Sequence, residues 1–232
     1  MTGLRRRGAP PLRTVFFDLG DTLMHVHPDV PTLYLGEALR AGRSFESSIT
    51  EARAFWQEYN QLILGELGAA GDTASMALLL AERFWSPLAW RVFPEVHEVL
   101  GALRDAGLQL AVISNFTDSL TAVCRSHVLD GYFDCLVAST VSGSQKPDVS
   151  IFREALRRTG GDPGASLHVG DNYVADMLGA RAAGIDGVLL DRSRAGVAGM
   201  FDFALRDGLG GTGGVVLDCP VIADLRELLE LV

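Results

Sequence analysis

Residues 15–22 read V-F-F-D-L-G-D-T, and the architecture of the chain can be read from them. A short apolar run stops abruptly at Asp18, Gly20 and Asp21, the pattern of a buried strand delivering a carboxylate into a glycine-containing turn. In open parallel sheets ligands sit beyond the carboxyl ends of the strands. An aspartate placed there meets substrate while a rigid element holds it. Asp and Gly are also ordinary turn residues, so the stretch gains its meaning from the motifs further along the chain.

The block from residue 24 to residue 92 loses strand character. Leu33, Leu35 and Leu39, then Phe55, Tyr59, Leu62 and Ile63, recur at helical spacing. Ser48 and Glu51 form a capping-box pattern for a second helix, and residues 74–84 supply a third run after a glycine-rich break at residues 65–71. The block is too long for one crossover and predicts a separate helical lobe inserted after the first strand. From Phe93 the rhythm becomes helix, strand, helix, strand. A helix is expected from Pro94 to Gly107, then a strand over residues 108–113 that runs into Ser114 and Asn115. A helix from about Asp118, a strand at residues 135–138 and a helix at residues 150–158 come next. The strand at residues 167–169 ends in Gly170 and Asp171, and the next helix carries Asp176 and stops at Gly184. A strand at residues 187–190, a loop over residues 192–214, a strand at residues 215–217 and a terminal helix near residues 225–231 complete the chain. Such alternation predicts an α/β protein with a parallel sheet and helices on both faces.

The 232 residues are 48% hydrophobic and 21% charged, enough to bury a full core. A formal net charge of -9 argues against nucleic acid and anionic membrane as partners, because both would repel the chain. Arg5, Arg6, Arg7 and Arg13 are the exception. They lie in a segment rich in proline and glycine that reads as a flexible basic extension over residues 1–13 and not as a targeting signal. No apolar run is long enough to span a bilayer, which predicts a soluble, cytoplasmic protein. The three cysteines, Cys124, Cys135 and Cys219, have no paired spacing and read as reduced thiols.

Strand ends thus supply Asp18, Ser114 and Asp171, and Lys146 arrives before a helix in G-S-Q-K-P-D. With these four motifs in this order, the chain from about Thr14 onward resembles the haloacid dehalogenase superfamily, in its phosphohydrolase-like branch with a helical cap after the first motif. The resemblance implies a Rossmann-like core over residues 14–23 and 93–232, with the cap at residues 24–92. It implies Asp18 as nucleophile, Ser114 as the second-motif hydroxyl, Lys146 as the third-motif lysine, and Asp171 with Asp176 as the fourth-motif acidic pair. It further implies Mg²⁺ held by Asp18, the Gly20 backbone carbonyl and Asp171, with Asp176, Asn115 and Asn172 in support. The expected substrate is a small phosphorylated metabolite, hydrolysed through an aspartyl-phosphate. Phosphoryl transfer needs a carboxylate, a cation and hydrogen-bond donors to converge, which gives each residue type its reason.

One position departs from the pattern. Phosphatases of the family carry a second aspartate two residues after the nucleophile, where this chain has Gly20, with Asp21 next. A glycine keeps its carbonyl for a metal but offers no acid or base. Asp21, His25 and His27 are the candidates to replace that acid, and an unreplaced loss predicts a slow enzyme. Two alternatives stand beside the phosphatase: a catalytically degenerate binding or regulatory protein on the same fold, and a 2-haloacid dehalogenase, which lacks that aspartate and needs no metal. Oligomeric state is not legible.

Overall fold

The computed structural model describes residues 10–26, 48–192 and 217–232. The basic residues 5–7, the leucine run at residues 33–39, His27 and residues 193–216 lie outside these. The chain opens with strand β1 (Thr14–Phe17) and a short strand β2 (Met24–Val26). Helices α1 (Ile49–Glu66) and α2 (Thr73–Trp85) come after, then β3 (Trp90–Val92). Beyond them alternate α3 (Val96–Asp105), β4 (Gln109–Ser114), α4 (Leu120–Ser126), β5 (Cys135–Ala138), α5 (Val149–Thr159), β6 (Ser166–Gly170), β7 (Asp186–Leu190) and β8 (Val221–Ile222).

All six core strands are parallel, in the order β5-β4-β1-β6-β7-β8. The chain builds outward from β1 through β4 to β5, then crosses back and builds the other way from β6. That reversal is the topological switch point of a doubly wound sheet, and β1 stands at it. Alternation along β1 divides the core. Val15 and Phe17 join Leu110, Val112, Leu167 and Val169 against α3, while Phe16 faces Ile113, Ile151 and Phe152 of the α5 side. Burial on both faces explains why these strands read as nearly continuous apolar runs.

The helical insertion packs on itself through Phe55, Trp56, Tyr59 and Ala81. Ser48 accepts from the Glu51 amide at 3.2 Å, the N-cap that the sequence predicts for α1. An aromatic series then leads back toward the sheet. Trp56 stacks on Phe84 at 4.6 Å, Phe84 meets Trp90 at 5.4 Å, and Trp90 meets Phe116 at 5.3 Å.

Several expectations need correction. Residues 24–26 and 90–92 are extended and not helical: β2 and β3 pair antiparallel, with Met24 opposite Val92 and Val26 opposite Trp90. Three-residue strands are too short to show alternation. Helix α1 runs through Gly65, and α3 starts at Val96, with Pro94 in the turn before it. Helix α4 starts at Leu120 with Ser119 at its N-cap, two residues after the expected start near Asp118. The residues around Asp176 form a π-helical turn, Tyr173–Leu178, before a short α turn, Gly179–Ala182. This wider turn accompanies the Asp176 carboxylate folding back onto the Asn172 amide. Leu217 is not in a strand; the last strand is β8, and the chain ends in a 3₁₀ turn, Leu225–Glu230, capped by Asp224 and Glu227.

Leu100 is fully buried on α3. Leu100→Ala is expected to destabilise the protein by about 2–5 kcal/mol, read as a lowered urea midpoint at unchanged slope.

Candidate active site

Parallel pairing places the charged residues. Phe17 is opposite Val112 on β4 and Val169 on β6. Asp18 comes directly after Phe17, and Ser114 and Asp171 stand two residues beyond those partners, so all three emerge at the same edge of the sheet. The Asp18 amide continues the ladder by donating to the Val169 carbonyl at 2.9 Å.

Lys146 joins this edge from the turn before α5. Its Nζ donates to Asp18 Oδ1 and to Asp176 Oδ1, both at 2.6 Å, and the lysine is buried. Asn115 fixes its backbone reciprocally: Nδ2 donates to the Lys146 carbonyl at 3.1 Å, and Oδ1 accepts from the Lys146 amide at 2.7 Å. Asp176 Oδ1 also receives His168 Nε2 at 2.8 Å, while Oδ2 accepts from the Asn172 amide at 3.0 Å. A Cβ at position 170 would overlap the Asp176 carboxyl group, so only glycine fits there. Asn172 caps the turn that carries Asp176, accepting from the Ala175 amide at 2.8 Å.

Charge is set by this packing. Burial, with the negative charge of Asp176, raises the Asp18 carboxyl above its ordinary value against the opposing pull of Lys146. Asp171 is raised well above the carboxylate range by burial and then by Asp18, Asp176 and Asp21. Burial acts the same way on Asp176, but Lys146 and His168 outweigh it and hold that carboxyl low. Burial depresses Lys146, yet Asp176 and Asp18 overcome it and keep the ammonium charged.

The carboxylates of Asp18, Asp171 and Asp176 each offer an oxygen, and the three lie within 4.8 Å of one another. Three buried acids around one lysine are short of positive charge, and hard oxygen donors suit Mg²⁺. The donor set therefore fits a divalent cation. Asp18, Asp171 and Asp176 are the side chains gathered closely enough to hold it.

The turn after Asp18 is tightly bound. Asp21 has a φ of 51°, and its amide donates to the Met24 carbonyl at 2.6 Å. The Gly20 carbonyl accepts from the Thr22 amide at 2.6 Å and keeps one lone pair. A Cβ at Gly20 would meet the Trp90 ring at 3.9 Å. Ser114 is buried at the end of β4. Its hydroxyl forms no hydrogen bond among the described residues. His25 lies on β2 with its ring 4.9 Å from that of Phe93.

Sequence reasoning missed four participants. Thr22 Oγ1 donates to Asp171 Oδ1 at 3.4 Å. Arg192 donates to the carbonyls of Asp21 at 3.1 Å and Thr22 at 2.7 Å, pairs with Glu95 at 2.6 Å, and lies 3.6 Å above the Phe93 ring. His168 and Gly170 seat Asp176. A histidine inside the apolar run of β6 was the one visible signal; nothing in the spacing marks Arg192.

What the sheet order and its charged strand ends define is a Rossmann-like fold with an acidic site at its switch point. Comparison supplies the family: residues 12–184 match the haloacid dehalogenase-like hydrolase model, and the chain belongs to that family. The mouse haloacid dehalogenase-like hydrolase domain-containing protein 3 is 31% identical, over 85% of this chain and 87% of its own. A phosphoglycolate phosphatase of Caulobacter vibrioides is 30% identical, over 76% of this chain and 78% of its own. Among solved structures, the putative hydrolase YfnB of Bacillus subtilis, bound to magnesium, superposes with a TM-score of 0.71 at 17% identity, covering 96% of this chain and 99% of that one.

Lys146→Met removes the one cation from three buried acids. It is expected to cost about 3–5 kcal/mol in urea denaturation; an unchanged midpoint would show that the lysine does not balance them.

Proposed function

We propose that this protein is a Mg²⁺-dependent hydrolase of small phosphate monoesters, with Asp18 as nucleophile. The observation that carries the reading is the Lys146 ammonium held 2.6 Å from both Asp18 and Asp176, with Asp171 gathered beside them. A bare nucleophile would need one carboxylate. Three are assembled here, which favours phosphoryl chemistry over dehalogenation.

In this mechanism Asp18 attacks phosphorus, the bond to the leaving oxygen breaks, and an aspartyl-phosphate forms. Water then attacks phosphorus, returning the Asp18 carboxylate and releasing phosphate. Lys146 pairs with the phosphoryl oxygens as a point charge, and the Ser114 hydroxyl, otherwise without a partner among the described residues, donates to them. A divalent cation on Asp18, Asp171 and the free lone pair of Gly20 would supply the charge that lets two anions meet. Asp176 anchors Lys146, its oxygens also accepting from His168 and the Asn172 amide.

The leaving oxygen needs a proton. Gly20 has no side chain to give it, so the enzyme works slowly on poor leaving groups unless Asp21, His25 or His27 supplies the acid. Asp21 lies close enough for its charge to act on Asp171, whereas the His25 ring packs on Phe93 in the ribbon that leads to the insertion. The helical insertion, residues 24–92, acts as a lid over the strand ends of a core formed by residues 14–23 and 93–232, and the aromatic series from Trp56 to Phe116 joins the two. A lid of this kind excludes water and selects substrate. The phosphoglycolate phosphatase relative supports a small phosphorylated acid or sugar as the substrate class. Among the described residues no helix is long and apolar enough to cross a membrane.

The test is phosphate release from an activated aryl phosphate and a panel of alkyl phosphates, in Mg²⁺ or EDTA. Turnover is expected only with Mg²⁺, higher on the aryl ester, and reduced on the order of 10³-fold or more in Asp18→Asn. Gly20→Asp, whose Cβ makes ordinary contact with Trp90, is expected to raise alkyl phosphate turnover, toward the ~10²–10⁴-fold that general acids contribute. Wild type and Asp18→Asn alike in giving no phosphate would leave the binding-protein reading standing.

A further inference from the structure

We infer that His168 is a positioning residue of this site, acting as a fixed donor that locks Asp176 and, through it, aims Lys146 at Asp18. The inference rests on the phosphohydrolase reading for its catalytic consequence, but its geometry is independent of it.

The sequence of β6 alternates as a two-sided buried strand should. Leu167 and Val169 join the core on one face, and position 168 turns to the other, in register with Phe16 on β1 and Gly187 on β7. An aliphatic residue is the default there. Instead the chain places a fully buried imidazole, edge-on to Phe152 at 5.2 Å. Burying a polar ring among apolar side chains is costly unless its polar atoms are used.

One of them is. Asp176 is ionised beside Lys146, so its Oδ1 only accepts, and His168 Nε2 at 2.8 Å must carry the proton it donates. The other ring nitrogen, Nδ1, is buried and has no partner among the described residues. With Nε2 committed to Asp176, the ring acts through that carboxylate.

Its contribution is to complete the set of donors on Asp176. Lys146 and His168 bind Oδ1, and the Asn172 amide binds Oδ2. Gly170 clears the space against which the carboxyl group rests. With three donors in different directions the carboxylate cannot rotate. Lys146, whose ammonium bridges Asp176 and Asp18, inherits that fixed position. Without the His168 donor, Oδ1 is held by the lysine alone, and the lysine is then free to move with the carboxylate away from Asp18.

The experiment compares His168→Leu with His168→Gln, which keeps an N–H donor of similar reach. Partners that orient a catalytic group typically cost ~10–100-fold when removed. His168→Leu is expected to lower kcat by that amount, with KM for the aryl phosphate within about twofold of wild type. His168→Gln is expected to return kcat to within about threefold. Thermal midpoints of both variants guard against misfolding. Equal kcat in the two variants, whether both normal or both reduced in step with stability, would assign the imidazole to packing and overturn the inference. Ring ¹⁵N shifts of His168 provide a reading that needs no turnover: a proton on Nε2 is expected, and a ring protonated at Nδ1 alone overturns the inference as well. A wild type that shows the expected Nε2 proton but hydrolyses nothing counts against the phosphohydrolase reading, and the ¹⁵N result still decides the placement of His168.

Discussion

An ammonium group buried between two carboxylates governs the organisation of this molecule. Each of these charges, alone in the interior, would cost several kcal/mol, and their attraction offsets that only in good geometry with the remaining hydrogen bonds satisfied. Much of the surrounding architecture meets that condition. Asn115 grips the Lys146 backbone from both sides, Gly170 makes room for Asp176, and the Asn172 amide and His168 bind the Asp176 oxygens alongside the lysine. Loss of any one of these leaves a buried charge less well compensated. The site and its scaffold are therefore not separable in energy.

A doubly wound sheet suits this task because parallel strands end at one edge. Asp18 leaves the central strand, Ser114 one neighbour and Asp171 the other, so three side chains distant in sequence are brought together by register alone. The strands are buried on both faces, and a packed sheet is hard to distort. Rigidity at the strand ends is what keeps like charges close. Three carboxylates within 4.8 Å would separate if loops carried them.

The sequence made the sheet legible because its strands are apolar, and it made the site legible because charged residues interrupt them at their ends. The residues drawn together at the strand ends, Asp18, Ser114, Lys146, Asp171 and Asp176, are those whose chemistry conflicts with their setting. What escaped notice is what carries no such conflict or no period. The β2–β3 ribbon and β8 are too short to alternate, and the turn at Asp176 is wider than an α-helix, so no helical template matches it. Arg192 is an ordinary arginine in a stretch that reads as loop, and its grip on the Asp21 and Thr22 carbonyls exists only in three dimensions. His168 was visible as a polar residue within an apolar strand, yet its partner lies eight residues on, around a turn whose shape could not be foreseen.

The β2–β3 ribbon bears on the history of such a protein. The chain departs the core at Val26 and comes back at Trp90, and these two residues sit opposite each other. Everything between them is, to the sheet, a closed loop. The entropy of closing a loop grows only with the logarithm of its length, about 0.6 kcal/mol for each doubling. Helices there can be lengthened, exchanged or reshaped with little effect on the register of β1, β4 and β6, which holds the charged residues in place. On the proposed reading, the lid that would meet the substrate is thus free to diverge while the strand ends that would perform the chemistry are held still, and new specificities would need no new fold.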